Sequence, residues 1–143
     1  MELEQIFSMA GTLAIIGWVA LAALPRNPHA QVLAGVAVPL LLSVGYLFLI
    51  VQNLRGAEGG FGSLDDVATL FQTRELLLAG WIHYLAFDLF IGAWETRDAQ
   101  RHAIPHLAVI PCLIMTFMLG PIGLLFYFAI RTAKTRAIGL EAA

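Results

Sequence analysis

His83 and Asp88 stand near the middle of an otherwise uncharged apolar run, Leu76 to Trp94, and a dense polar stretch follows at once: Glu95, Arg97, Asp98, Arg101, His102 and His106. Ionisable groups inside a membrane-length apolar segment are costly, so they usually face a protein interior and mark a function. A carboxyl buried at Asp88 has to be paired or protonated. At about 100° per residue, Tyr84, Asp88 and Glu95 fall within about 40° of one another on a helix, whereas His83 points about 100–140° away. Asp88 and His83 therefore need not share one site. A structural hydrogen bond between helices is the alternative for each of them.

The polar stretch has its own chemistry. If the third helix continues past Trp94, then Glu95, Asp98 and His102 sit at i, i+3 and i+7. His106 follows Pro105 and can fold back to the same level. Two histidines with two or three carboxylates suit Zn, Mn or non-haem Fe. Arg97 and Arg101 could neutralise the acids or hold an anionic or polar ligand. The competing reading is a wet connection whose ion pairs have little energetic consequence. Trp81, Tyr84, Phe87, Phe90 and Trp94 make the third segment aromatic, which suits packing or an interfacial belt. Aromatics around buried polar groups also suit a long apolar ligand with a polar end.

These residues must be positioned by membrane helices. Hydrophobic residues make up 59% of the 143-residue chain, charged residues only 13%, and the mean hydropathy is +0.81. Soluble domains carry about twice that share of charge. A separate soluble catalytic domain has no sequence left to build it. The near-neutral balance, a formal net charge of -2, offers no footprint for nucleic acid. The lone Cys112 excludes an intrachain disulfide and any multi-cysteine metal site. Four histidines are too few for a multi-histidine di-iron site, His83 lacks an evident haem-ligand mate, and no Gly-x-Ser-x-Gly elbow occurs.

The hydropathy pattern predicts an all-α, four-helix transmembrane bundle forming a single integral membrane domain over 1–143, with helices at 6–24, 32–51, 76–94 and 107–130. Pro25-Arg26-Asn27-Pro28 stops the first helix, Pro39 kinks the second, and Gly120-Pro121 tilts or breaks the fourth. Met1-Glu2-Leu3-Glu4 is acidic where a signal peptide is basic, so the first segment reads as a retained helix. Ser63-Leu64-Asp65-Asp66, after a glycine-rich loop, resembles a helix cap and predicts a short interfacial helix between helices 2 and 3. With four crossings, Arg55, Arg74, Arg131, Lys134 and Arg136 share one side against Arg26, Arg97 and Arg101. That bias places both termini in the cytoplasm.

The blocks Gly60-Phe61-x-Ser63-Leu64 and Leu78-Ala79-Gly80-Trp81-Ile82-His83-Tyr84-Leu85-Ala86-Phe87-Asp88-Leu89-Phe90 resemble the abscisic-acid-deficient-four-like family. The similarity continues through Trp94-Glu95, Asp98, Ile104-Pro105-His106, Ile110-Pro111-Cys112 and Gly120-Pro121-Ile122-Gly123. The family consists of small four-helix membrane proteins. Its plant members are associated with neoxanthin synthesis from violaxanthin, the isomerisation of a carotenoid epoxide to an allenic alcohol. The resemblance therefore implies an isoprenoid or carotenoid isomerase. Without an Arg/Ser-rich transit peptide, the chain reads as a bacterial inner-membrane member, or as a plastid protein if trimmed.

Such an isomerisation needs an acid or Lewis acid at the epoxide oxygen and a base for the vinylic proton, but no redox cofactor. The expected catalytic residues are His83, Asp88, Glu95 and Tyr84; a divalent metal would be held by Asp98, His102, His106 and Glu95; and Trp81, Arg97 and Arg101 would bind substrate. Two other readings stand beside it. One is a non-catalytic carotenoid- or lipid-binding protein or assembly partner. The other is a proton or ion path through His83 and Asp88, which would require a homo-oligomer to enclose it.

Overall fold

A computed structural model describes residues 2–136, 138 and 139, and among these the chain is all helical, with no strand. The helices are α1 (Leu3–Ala23), α2 (Pro28–Asn53), α3 (Leu64–Leu70), α4 (Arg74–Arg101), α5 (His106–Leu119) and α6 (Pro121–Thr135). By length and composition α1, α2 and α4 are able to cross a membrane. The chain is an integral membrane protein.

Local chemistry sets the helix ends. The Gln5 side chain accepts from the Glu2 N–H at 3.1 Å, and Pro25 follows the last turn of α1. Asn27 caps α2, accepting from His29 and Ala30 N–H at 2.9 and 3.2 Å, with Pro28 in the first helical position. Pro39 follows an irregular turn of α2. The turn ahead of it, Leu33–Ala37, widens to a π-turn, a form that accommodates local misfit in the i to i−4 ladder. Ser63 accepts from Asp66 N–H at 3.1 Å, so the short helix α3 starts where the cap pattern puts it. The third segment is longer than its apolar stretch: α4 continues past Trp94 to Arg101 and carries the polar residues with it.

The central element is α4, with α1, α2 and α5 packed along it. Close approach uses small residues: Gly17 of α1 faces Leu89, and Gly92 of α4 faces Trp18. Ala14, Leu21, Leu89 and Ala93 are fully buried along these seams, while Ile15, Val19, Leu40, Val44 and Leu125 point outward. A lipid-facing surface has this character.

Residues 107–130 do not form one helix of membrane length. The segment predicted as one helix over 107–130 is two helices that pack on each other, α5 and α6, joined at Gly120. Gly120 has φ +51 and ψ −105, a backbone that only glycine adopts readily. The direction of the chain follows from its contacts. Gly120 lies against Asp88, midway along α4, whereas Tyr127 and Arg131 of α6 bond to Asp98, near the far end of α4. Hence α5 descends from the Arg101 end, Gly120 reverses it, and α6 climbs back. At about 21 Å each, neither helix spans a hydrocarbon core of about 30 Å.

Glu4 of α1 pairs with Arg74 at one end of α4 (2.6 Å), and Arg131 of α6 lies at the other end. The expectation of both termini on one side presumed one spanning helix over 107–130.

Gly123 of α6 presses on the backbone of Thr116 of α5, leaving no room for a Cβ. The Gly123→Ala variant is expected to lose about 1–3 kcal/mol through overpacking. It should show a lowered thermal midpoint in detergent, whereas Gly45→Ala, where a Cβ meets nothing, should not. Equal midpoints for the two variants would mean that α5 and α6 do not pack in this way.

Candidate functional site

Two polar centres lie along α4, one at its Arg101 end and one at its middle. The first is enclosed by α5 and α6. Glu95 is completely buried, and the Thr116 hydroxyl donates to its carboxylate, 3.0 and 3.2 Å from the two oxygens. One turn on, Asp98 Oδ2 accepts from Tyr127 Oη at 2.6 Å and from Arg131 Nε at 2.7 Å. Asp98 is 3% exposed and Arg131 1%, so this is a buried ion pair. Arg131 Nη2 lies 3.4 Å from His102 Nε2, and His102 Nδ1 lies 2.9 Å from the Asp98 carbonyl oxygen. A guanidinium only donates, so Nε2 accepts and Nδ1 carries the ring proton. Trp94 closes the cluster, edge-on to Tyr127 and stacked on Phe128.

This centre is built to hold helices together. Asp98 and Arg131 cancel in charge, Asp98 also accepts from Tyr127, and Arg131 also reaches His102. Of the expected metal ligands, Glu95, Asp98 and His102 belong to this centre and His106 does not. His106 Nε2 is turned to the Ala22 carbonyl at 2.9 Å, fastening the start of α5 to the end of α1. Among the described residues, no group of three or more His, Cys, Asp or Glu side chains is placed to hold a metal ion.

The second centre is Asp88 with Tyr84. Asp88 Oδ2 is buried and has no hydrogen-bond partner among the described residues. Its carboxylate lies against Gly120: a Cβ there would come within 3.1 and 3.2 Å of the two oxygens. The carboxylate therefore sits beside the N-terminal, positive end of α6. Tyr84, one turn back on α4, is close enough to interact with Asp88 electrostatically, and its hydroxyl donates to the Phe117 carbonyl at 2.6 Å.

Tyr84 also forms one end of an apolar groove of about 570 Å³. The walls are Leu3 and Phe7 of α1, Leu77, Leu78 and Trp81 of α4, and Phe71 after α3, with the Glu4–Arg74 pair at the rim. Phe7, Trp81 and Tyr84 form a ladder of rings, with centroids 5.6 and 5.3 Å apart. Gly80 lets the Phe71 ring lie directly on α4.

The expected site residues are thus divided. Asp88 and Tyr84 come together, with Trp81 in the adjoining groove. Glu95, Asp98 and His102 belong to the buried cluster at the far end. His83 is on another face of α4, between the rings of Tyr46 and Phe87, at 5.8 and 4.6 Å. Arg97 packs against Gly35 of α2, and Arg101 is exposed, both at the end remote from the groove. Sequence reasoning missed Thr116, Tyr127 and Arg131. Tyr127 and Arg131 stand at i and i+4, and Thr116 is a lone hydroxyl in an apolar run, so a weak signal was present.

The fold and these centres define a small integral membrane protein, all helical among the described residues, with a buried polar pair beside an apolar groove. The family model described as ABA DEFICIENT 4-like matches residues 5–127, and the chain belongs to that family. No curated protein and no solved structure matches it significantly.

Proposed function

We propose that this protein takes a carotenoid or related isoprenoid into the groove and isomerises an epoxide at its end to an allenic alcohol, as in neoxanthin synthesis. The observation that carries the reading is the buried carboxylate oxygen of Asp88, without a hydrogen-bond partner among the described residues, one helical turn from Tyr84, which lines an aromatic-walled groove. The ring ladder gives a conjugated chain a flat apolar surface to lie on. Family membership supports the carotenoid class.

Tyr84 delivers its proton to the epoxide oxygen as the C–O bond breaks. The neighbouring vinylic C–H gives its proton to the Asp88 carboxylate, and its electron pair completes the second double bond of the allene. Return of that proton from Asp88 to the Tyr84 oxygen restores both groups. One proton is added and one removed, so the step is redox-neutral. Apolar walls keep water from opening the epoxide instead.

Binding without chemistry is a second reading. It is favoured by one observation: Asp88 itself is not part of the groove wall. Both readings are tested by supplying violaxanthin to the purified protein in lipid nanodiscs and separating the extracted pigments. An allenic isomer is the expected product. Bound but unchanged pigment would leave the binding role alone, and absence of binding would overturn both.

A further inference from the structure

The reversal at Gly120 redistributes charge across the molecule. Arg131, Lys134 and Arg136 belong at the end of the bundle that already holds Arg26, Arg97 and Arg101. Six of the eight lysines and arginines are therefore at the Arg101 end. The other end carries Arg55 and Arg74 against Glu2, Glu4, Glu58, Asp65, Asp66 and Glu75. At the Arg101 end the nearest acids, Asp98 and Glu95, are buried, and Arg131 is neutralised by Asp98. Arg26, Arg101, Lys134 and Arg136 are exposed.

We infer that α5 and α6 form a re-entrant hairpin whose open end lies in the cytoplasmic leaflet, with the N-terminus on the opposite side, and that the exposed arginines and lysine at that end rest among anionic lipid headgroups. Three arguments converge on this arrangement. Six cations against two is a strong bias under the positive-inside rule. Non-helical backbone at membrane depth is tolerated where protein covers it, and Gly120 is buried against Asp88. The faces of α6 are divided accordingly: Ile122, Leu125 and Phe126 point outward, Tyr127 and Arg131 inward, and Lys134 and Arg136 lie at the last turn. A cationic rim at headgroup level is drawn to an anionic surface. One consequence is that the groove, at the Arg74 end, opens toward the non-cytoplasmic leaflet. The orientation stands whatever the groove binds.

The chain has one cysteine, Cys112, and it is buried, so thiol mapping is clean. In a Cys112→Ser background expressed in a bacterial inner membrane, Gly60→Cys, Arg101→Cys and Lys134→Cys are treated separately with a membrane-impermeant maleimide. The expected result is labelling of Gly60→Cys in spheroplasts, and of Arg101→Cys and Lys134→Cys only in inside-out vesicles. If Lys134→Cys shares a side with Gly60→Cys, the hairpin crosses the membrane and the proposal is overturned. Labelling of Arg101→Cys and Lys134→Cys from outside reverses the orientation and overturns it too. The triple variant Arg26→Gln/Arg101→Gln/Arg136→Gln, carrying Gly60→Cys, should become labelled from both sides. An orientation as uniform as before would refute the headgroup contact.

Discussion

In the Asp88→Asn variant, conversion of the epoxide falls by about two to four orders of magnitude, the usual contribution of a positioned acid or base, while pigment is still bound. Asparagine keeps the size and planar shape of the side chain, so the contact with Gly120 survives. What disappears is a group able to accept the vinylic proton and return it to Tyr84. The groove walls, from Phe7 to Tyr84, are untouched. The split between lost conversion and retained binding separates this outcome from a folding defect, which would remove both. Binding is followed by the pigment's absorbance, and conversion by chromatography of the extract. Full activity in Asp88→Asn would sink the proposed chemistry and leave the groove as a binding site.

How much of this was legible in the sequence depends on what hydropathy can see. The three long helices were readable because apolar runs end at explicit stops, such as Pro25 to Pro28 after α1, and the short α3 because Ser63 is followed by two acids. The reversal at Gly120 was not, because an apolar run of membrane length reads the same whether it crosses or turns back. The Gly120-Pro121 pair marked the place without giving the angle. Its consequence is also non-local: only the return of α6 brings Arg131 to Asp98, thirty-three residues away in the chain.

The candidate site shows the same division. Helical phase alone placed Tyr84 and Asp88 on one stripe and put His83 on another, as the fold has it. Phase also put Glu95 on that stripe, correctly, but ten ångströms of axis separate it into a different polar centre. Spacing on one helix grouped Glu95, Asp98 and His102 as ligands, with His106 folding back to them after Pro105. It could not know that His106 would be claimed by the Ala22 carbonyl, or that the partner of Asp98 would be an arginine counted with the tail.

Arg131→Met is expected to be the most destabilising single change outside the helix backbones, at about 3–5 kcal/mol. The reason lies in what it leaves behind. Asp98 is 3% exposed and would keep a negative charge in the protein interior, with only Tyr127 and a weakly placed His102 to meet it. The companion variant Asp98→Leu/Arg131→Met removes both charges and is expected to regain most of the loss, since replacing a buried ion pair with apolar residues is often close to neutral. The measurement is the thermal midpoint in detergent for wild type, both singles and the double, read as a coupling energy. A single variant within about 1 kcal/mol of wild type would mean that the pair is solvated, as surface ion pairs are. The position of the pair makes the effect reach the other centre. Arg131 holds the far end of α6 to α4, and the near end of α6 is Gly120, whose close contact fixes the Asp88 carboxylate. Loosening α6 at Arg131 therefore lowers epoxide conversion as well as stability, and the double variant should restore the two together.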